Sequence, residues 1–481
     1  MKNYYITTTL PYVNSEPHIG FASEIVRADI LARFHRDILG EEVFFNTGTD
    51  EHGQKIYDKA QEQKISPQEF CDKQVEKFKD LKEALNLSFD NFVRTTDEDH
   101  IKAAQEFWRR CYEKGDIYKA KYKVKYCVGC ELEKTDSELN EEGRCPLHPN
   151  KDLQVSEEEN YFFKFSNYQK PLIDFYEKNS DFVQPEKRFN EIKNFVKGGL
   201  KDFSISRLKS KMSWGVPVPD DEEQVMYVWF DALVNYISVL NWPEDENNFK
   251  KWWPGVQIAG KDNLRQQSAM WQAMLMSAGL PNSEKVYING FIISDGQKMS
   301  KSLGNVISPV EMVEKFGIDG TRYLLIASAI FGEDVDLNWE GMIEKYNSDL
   351  ANGLGNVFSR LIKLGQKIDL KNSGIVDFIE KEAKIDLKRY SRDFENGHLE
   401  RLLNDAQQKI SELDKKIEEV KPWEISKTDP EKFQTEMLNF LVGLKEIQKM
   451  IAIFLPETAE KMNRMLETRE MESLFPRIQE N

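Results

Sequence analysis

The sequence has no run approaching the ~18 consecutive apolar residues that a membrane-spanning helix requires. It also has no internal repeat and no low-complexity tract, so solenoid and fibrous architectures are set aside. No basic leader or small-residue cleavage site precedes Asn3-Tyr4-Tyr5-Ile6-Thr7-Thr8-Thr9, which reads as a buried first strand; a cytoplasmic protein without a membrane anchor is expected. Cysteine is scarce. Five occur in 481 residues, and Cys127, Cys130 and Cys145 fall in one short stretch, which argues against a disulfide framework and for a metal site. Cys71 and Cys111 stand alone in helix-like segments and read as small core hydrophobes. Positive charge is in deficit too: 66 Lys and Arg against 82 Asp and Glu leave a net charge of −16, which by itself does not announce a nucleic-acid partner. Locally the balance reverses. Between Lys187 and Lys211 the cations Lys187, Arg188, Lys193, Lys197, Lys201, Arg207, Lys209 and Lys211 meet only Glu191 and Asp202, a pattern of either a phosphate-facing patch or a solvated helix face.

What is present describes a globular chain too long for one core, so two to four domains are expected. After the first strand, the loop from Leu10 to Glu16 leads to Pro17, suited to a first helical position, and Ile19, Ala22, Ile25, Val26, Ile30, Phe34 and Ile38 predict a helix from about His18 to Leu39. Val43-Phe44-Phe45-Asn46-Thr47 is the next predicted strand. This order points to an α/β fold, a Rossmann-like doubly wound parallel sheet whose ligands bind at the carboxyl ends of the strands. Lys119, Lys121, Lys123 and Lys125 alternate with Ala120, Tyr122, Val124 and Tyr126, a strand that delivers the chain into the cysteines and marks an inserted domain. Beyond about residue 345, Leu438, Leu441, Leu444, Ile447, Ile451 and Phe454 form a helical stripe ending at Pro456, so an all-α bundle closes the chain. The expected segments are 1–115 and 226–295 for the two halves of the α/β domain, 116–225 for the insertion, 296–345 for a loop and linker, and 346–481 for the bundle.

Three motifs carry chemistry. Pro17-His18-Ile19-Gly20 stands at a helix start, where unpaired N–H groups attract phosphate and His18 is a candidate donor; alone, the same pattern also describes a helix cap. Asp295 to Asn305 holds Lys298 and Lys301, with Ser300 and Ser302 between glycines, a cationic loop able to wrap a polyphosphate or else an exposed turn. Cys127-Val128-Gly129-Cys130 and Cys145-Pro146-Leu147-His148 have the spacing of a tetrahedral Zn²⁺ knuckle. With four ligands filled, its role is structural; the alternative is a relic knuckle without an ion.

Taken together, His18-Ile19-Gly20-Phe21 and the unbroken Lys298-Met299-Ser300-Lys301-Ser302 resemble the paired signatures of the class I aminoacyl-tRNA synthetases, and within them the methionine enzymes. The resemblance extends through Thr9-Leu10-Pro11-Tyr12, Thr49-Asp50-Glu51-His52-Gly53, Ile205-Ser206-Arg207, Tyr227 to Ala232, Gly260-Lys261-Asp262 and Pro456 to Lys461. It implies ATP-dependent activation of L-methionine to methionyl-adenylate with release of pyrophosphate, then transfer to the 3′ end of tRNA(Met). Mg²⁺ would accompany ATP. His18, Lys298 and Lys301 would be catalytic, with His18, Gly20, Lys298, Ser300 and Lys301 binding ATP. Leu10, Tyr12, Asp50, Trp229, Ala232, Tyr236, Asp262, Gln267 and Trp271 would bind methionine, the aromatic edges suiting its thioether and Asp50 and Asp262 its ammonium. Asn356, Arg360 and Trp423 would read the anticodon.

Phe21 stands where that signature ends in His, removing one donor to phosphate or ribose. Gln266 and Gln267 replace a usual aromatic-His pair, and Leu233 a usual Pro. The short insertion separates the chain from the branched-chain sister enzymes with their editing domains, and the intact lysine loop from a silent tRNA-binding relative. A monomer is expected, since no appended tRNA-binding module follows the bundle.

Overall fold

The computed structural model describes residues 2–129, 132–134, 139–294, 296–298, 305–368 and 374–479, with the side chains of 122–124, 132, 133, 156–158 and 298 left out. The chain divides into two compact units, one made of residues 1–17, 42–80 and 89–288, the other of 18–41, 81–88 and 289–481.

The first unit is built on a six-stranded sheet in the order Asn91–Arg94, Glu42–Thr49, Asn3–Thr8, Val256–Gly260, Lys285–Asn289, Val183–Gln184. Asn3–Thr8 lies parallel to neighbours on both sides, Ile6 pairing with Phe45 and with Val256. A strand in that position has no wet edge, and so its residues from Tyr4 to Thr8 are all buried. Polar side chains within this sheet pair across the strands: Asn46 donates to Thr7 Oγ1 (3.2 Å), Asn91 to Asn46 Oδ1 (2.9 Å), and the Thr8 and Thr47 hydroxyls meet at 2.7 Å. The parallel α/β sheet expected from the sequence is therefore present, with its second strand extended to Glu42–Thr49.

The alternating lysine segment forms the strand Ile117–Cys127, antiparallel to Gln154–Phe163 from Ile117↔Phe163 to Tyr126↔Gln154. With Leu132–Glu133 and Phe203–Ser204 at its edges it makes a second, four-stranded sheet that carries the cysteine segment. Cys71 and Cys111 are buried, and burial pushes the Cys111 thiol up to about 12, as befits core residues.

In the second unit the helix begins at Ile19 rather than His18, because the His18 side chain caps it, and it runs to Arg33 before loosening into a π-type turn at Phe34–Ile38. Helices Pro309–Ala327, Glu400–Val420, Pro430–Ile451 and Pro456–Thr468 supply much of the rest. Pro309–Ala327 starts with a capping box, the Ser308 hydroxyl accepting from Val310 N–H while Glu311 accepts from Ser308 N–H. Asp319 in turn accepts from Thr458 N–H at 2.5 Å, satisfying the start of Pro456–Thr468. The apolar stripe is mostly as expected, but the helix stops at Ile451. Phe454 is buried in the turn that follows, and Leu438 is only partly buried.

Arg322 and Asp29 join these pieces. Both side chains are fully buried and meet at 2.7 Å. Arg322 also donates to the carbonyls of Phe454 (2.7 Å) and Leu85 (2.9 Å), while Asp29 accepts from Arg33 and from Ser88 N–H and Oγ. Burial alone would raise the Asp29 carboxyl; Arg322 and Arg33 override it and hold it below the ordinary value. Arg322→Ala leaves a buried carboxylate short of its main partner, and a loss of about 3–5 kcal/mol is expected in urea unfolding at neutral pH. Because Asp29 is depressed, its contribution is complete above the unfolded-chain pKa of about 3.9 and disappears as pH falls through the folded value. The gap between wild type and Arg322→Ala should therefore close on acidification.

Candidate active site and metal centre

Tyr12 and Asp50 follow adjacent strands of the parallel sheet and are locked side by side. A parallel bridge pairs them, with Asp50 N–H donating to Pro11 O (3.0 Å) and Val13 N–H to Asp50 O (3.3 Å). This is the carboxyl end of the strands, where a doubly wound sheet leaves its crevice. Asp50 is buried, and its carboxylate lies 3.4 Å from His52 N–H. The Tyr12 ring meets Trp229 edge-on at 6.2 Å, and the Lys55 ammonium lies over the Tyr12 ring at 5.1 Å from its centroid.

Trp229 and Ala232 lie in the short helix Val228–Ala232, and Tyr236 in the next turn. The Tyr5 hydroxyl donates to Tyr236 O at 2.9 Å, fastening that turn to the central strand. Gln267 Nε2 donates to the Tyr236 hydroxyl at 2.7 Å, and the Tyr236 ring meets Trp271 edge-on at 5.9 Å, with Trp271 stacked on Phe107. An amide thus orients the phenol, and the phenol proton is left to point elsewhere. The Gln267 Oε1, Trp229 Nε1 and Trp271 Nε1 atoms are buried without a hydrogen-bond partner. Buried polar atoms of that kind around an aromatic wall suit a pocket completed by a ligand. Leu10 is half-buried just before Tyr12, and Asp262 is exposed in the 3₁₀ turn after strand Val256–Gly260.

One cluster was not legible in the sequence. Asp231, fully buried, faces His52 Nδ1 at 3.1 Å and His100 Nε2 at 3.6 Å. Burial would raise its carboxyl, but the two imidazoles outweigh burial and hold it low. The cluster fixes the turn that carries both Asp50 and His52 to the helix that carries Trp229. Its only sequence signals were polar residues inside otherwise apolar segments, 179 positions apart for His52 and Asp231.

In the second unit, His18 Nδ1 accepts from Gly20 N–H at 3.0 Å. A Cβ at position 20 would stand 2.8 Å from His18 Cε1, so the folded-back ring requires glycine there. With Nδ1 as acceptor, the proton of the neutral ring belongs on Nε2, which makes His18 a donor. Ile19 N–H donates to Ile307 O at 3.2 Å, tying the helix start to the segment just after the lysine loop. That loop springs from Ile292–Ser294 and Gln297–Lys298, an antiparallel pair held by Gly296 N–H on Asp336 (2.7 Å). Ser300 and Lys301 lie outside the described residues, as does the Lys298 side chain.

Asn356 and Arg360 share one face of helix Asn356–Gly365, but Arg360 is engaged, donating to Asp414 at 2.9 Å and Glu418 at 2.5 Å. Trp423 is half-buried in helix Pro422–Thr428, which follows directly from the helix bearing those two acids.

Cys127, Cys145 and His148 converge, their ligand atoms all within 4.8 Å of one another. His148 Nδ1 is 3.8 Å from Cys127 Sγ and 3.9 Å from Cys145 Sγ. The His148 ring lies so close to Gly129 that a Cβ there would meet it at 2.4 Å. Two buried thiols and an imidazole nitrogen form a donor set able to hold a metal ion. The fourth expected ligand, Cys130, lies outside the described residues.

A sequence-family profile described as tRNA synthetases class I (M) matches residues 4–154 and 141–362. The methionine–tRNA ligase of Thermotoga maritima is 41% identical over 98% of this chain and 76% of its own length. That of Rickettsia prowazekii is 39% identical over 99% and 96%. Among solved structures, Mycobacterium tuberculosis methionyl-tRNA synthetase in complex with methionyl-adenylate superposes with a TM-score of 0.90 at 33% identity, covering 99% of this chain and 100% of that one.

Gln267→Leu removes the amide that donates to the buried Tyr236 hydroxyl. A loss of about 1–3 kcal/mol is expected in urea unfolding, with altered tryptophan emission from the Trp271 edge contact.

Proposed function

We propose a division of labour among the residues of this chain, which belongs to the class I tRNA synthetases and, within them, to the methionine–tRNA ligases. It is an aminoacyl-tRNA ligase that uses ATP to join methionine to tRNA. The observation that carries the assignment of residues is the aromatic wall of Tyr12, Trp229, Tyr236 and Trp271 with the buried Asp50 carboxylate bridged to Tyr12. A polarizable thioether suits the ring edges, with the Tyr236 phenol held in place by the Gln267 amide. Asp50 and Asp262 take the ammonium, while Leu10 and Ala232 fill out the apolar wall.

The first step needs no general base. Methionine's carboxylate is already ionised at neutral pH; its oxygen attacks the α-phosphorus of ATP, the bond from that phosphorus to the bridging oxygen breaks, and pyrophosphate leaves. Catalysis then rests on alignment and on cations that meet the charge developing on the leaving group. Lys298 and Lys301 supply that charge and the neutral His18 ring a hydrogen-bond donor at Nε2, with Gly20 allowing phosphate close to the helix start and Ser300 an additional donor. Mg²⁺ brought in with ATP adds to it. In the second step a ribose hydroxyl at the 3′ end of tRNA attacks the activated carbonyl and AMP departs.

Asn356, Arg360 and Trp423 read the CAU anticodon, Trp423 by stacking and the other two by donating to base edges. Since Arg360 is held by Asp414 and Glu418, RNA binding entails a change of partners rather than capture by an idle cation. Cys127, Cys130, Cys145 and His148 hold Zn²⁺, which fastens the knuckle. The enzyme works as a cytoplasmic monomer; no helix of the described residues is long and apolar enough to cross a membrane.

Methionine-dependent exchange of pyrophosphate into ATP, run across a panel of amino acids, tests the assignment: exchange with methionine alone is expected, and exchange with none would refute it. Lys301→Ala should slow adenylate formation by a factor of at least ten while leaving methionine affinity nearly unchanged, because its partner charge develops mainly in the transition state. Purified protein should contain one zinc per chain by elemental analysis. Cys145→Ser should lose the metal and lower the thermal midpoint.

A further inference from the structure

Three residues of the pocket assigned to methionine each have a buried polar residue two positions further along the chain. Asp50 is followed by His52, Trp229 by Asp231 and Tyr236 by Ser238. Two residues apart in a helix means about 200° of rotation, so Asp231 and Ser238 lie behind the pocket that Trp229 and Tyr236 face. His100 joins them there.

His52 Nδ1 donates to Asp231 Oδ2 at 3.1 Å, and His100 Nδ1 shares a hydrogen bond with Ser238 Oγ, also at 3.1 Å. His100 Nε2 stands 3.6 Å from Asp231 Oδ1, and among the described residues neither atom has a hydrogen-bond partner, so the two face each other across a slightly long gap. The line therefore runs from His52 through Asp231 and His100 to Ser238. His100 lies near the start of helix Glu98–Glu113, and two turns later the same face carries Phe107, on which the Trp271 ring stacks at 5.4 Å.

The joined segments are also stiff. Arg94 grips the buried Glu51 carboxylate at 2.7 and 2.8 Å, Thr95 Oγ1 accepts from Glu51 N–H, and Trp214 Nε1 donates to Glu51 O at 2.5 Å, so the Asp50 turn moves together with His52. Asn235 Nδ2 donates to Ala232 O at 2.6 Å, closing the Trp229 helix onto the Tyr236 turn. Displacing Asp231 would strip a buried carboxylate of its partners, a cost that sliding apolar contacts do not meet. The turn that takes the ammonium and the aromatic wall are thus held at one separation. A pocket of fixed length measures an unbranched side chain, since one methylene too many crowds the rings and one too few leaves a void.

We propose that Asp231, with His52, His100 and Ser238, forms a positioning network that sets the length of the methionine pocket and so selects against longer and shorter homologues of that side chain. It rests on the assignment of Asp50 and the aromatic wall to methionine, and adds what fixes their separation. Pyrophosphate exchange is to be measured with methionine, with ethionine (one methylene longer) and with S-methylcysteine (one shorter). Wild-type kcat/KM should favour methionine about tenfold or more over each, the worth of one methylene in an apolar pocket. Asp231→Asn should cut that preference at least about threefold, mainly by raising KM for methionine, with KM for ATP near wild type. A brace that served stability alone would lower the active fraction, and with it kcat for every amino acid, leaving the ratios untouched. His100→Gln, whose amide can reach Asp231 as Nε2 does, should keep more of the preference than His100→Ala. Should Asp231→Asn not fold, Ser238→Ala, which removes one hydroxyl, carries the test. Unchanged ratios in the soluble variants would overturn the proposal. An unchanged methionine KM in Asp50→Asn would instead strike at the residue assignment beneath it, and absence of exchange in the wild-type enzyme at the ligase reading itself.

Discussion

A guanidinium shut away from water is tolerable only when its N–H groups find acceptors, and Arg322 finds them on three separate segments of chain. Asp29 comes from the first long helix, Leu85 and Asn86 from the short segment 81–88, and Ile453 and Phe454 from the turn between the last two long helices. Arg322 itself lies in Pro309–Ala327, next to Asp319, which caps Pro456–Thr468. Far-apart stretches of sequence are thereby held to one geometry. The interaction is a demanding one, since a misplaced segment would leave a buried charge or carbonyl unmet. For that reason it specifies the arrangement more strictly than apolar contacts of equal area could, and it fixes the helix whose capped end presents His18.

The first unit solves a related problem with neutral groups. Its central strand has neighbours on both sides, yet carries Thr7 and Thr8 near its carboxyl end; these meet Asn46 and Thr47 across the sheet. Polar residues there cost little because they satisfy one another. They also bring the chain out rigidly at Leu10, so that Tyr12 and Asp50 emerge in register. The Asp231 cluster continues the same logic one layer out, binding the Asp50 turn to the Trp229 helix through two histidines.

Much of this could be read from the sequence because it depends on local patterns. Alternation marked the strand Ile117–Cys127, helical periodicity marked the helix through Ile19 and the terminal bundle, and short spacing brought Cys127, Cys145 and His148 together. Errors were confined to ends, where a side chain decides the boundary: His18 caps the helix it was expected to begin, and the turn at Ile451 breaks a stripe that continues in burial but not in helix. What periodicity could not supply was pairing at long range. The partners Arg322 and Asp29 are 293 positions apart, and nothing around Arg360 indicated that Asp414 and Glu418 would hold it. The basic stretch from Lys187 defeated charge counting for a similar reason, since its two halves lie in a helix and a strand with different surroundings.

The cap at His18 has a chemical consequence of its own. A ring that accepts Gly20 N–H at Nδ1 must be neutral, since a protonated imidazole has no lone pair there. The same hydrogen bond assigns the remaining proton to Nε2, so one interaction sets both the fold of the helix start and the polarity of the ring's other nitrogen. Protonation would add charge for a phosphate while removing the cap that positions the ring, and these effects oppose each other. A neutral donor held in place is therefore what this end contributes. On the proposed division of labour, the positive charge for the departing pyrophosphate comes from lysine, which keeps its proton across the physiological range. Phe21, standing in place of a second imidazole, is buried in the core, and the His18 cap before it is complete without it.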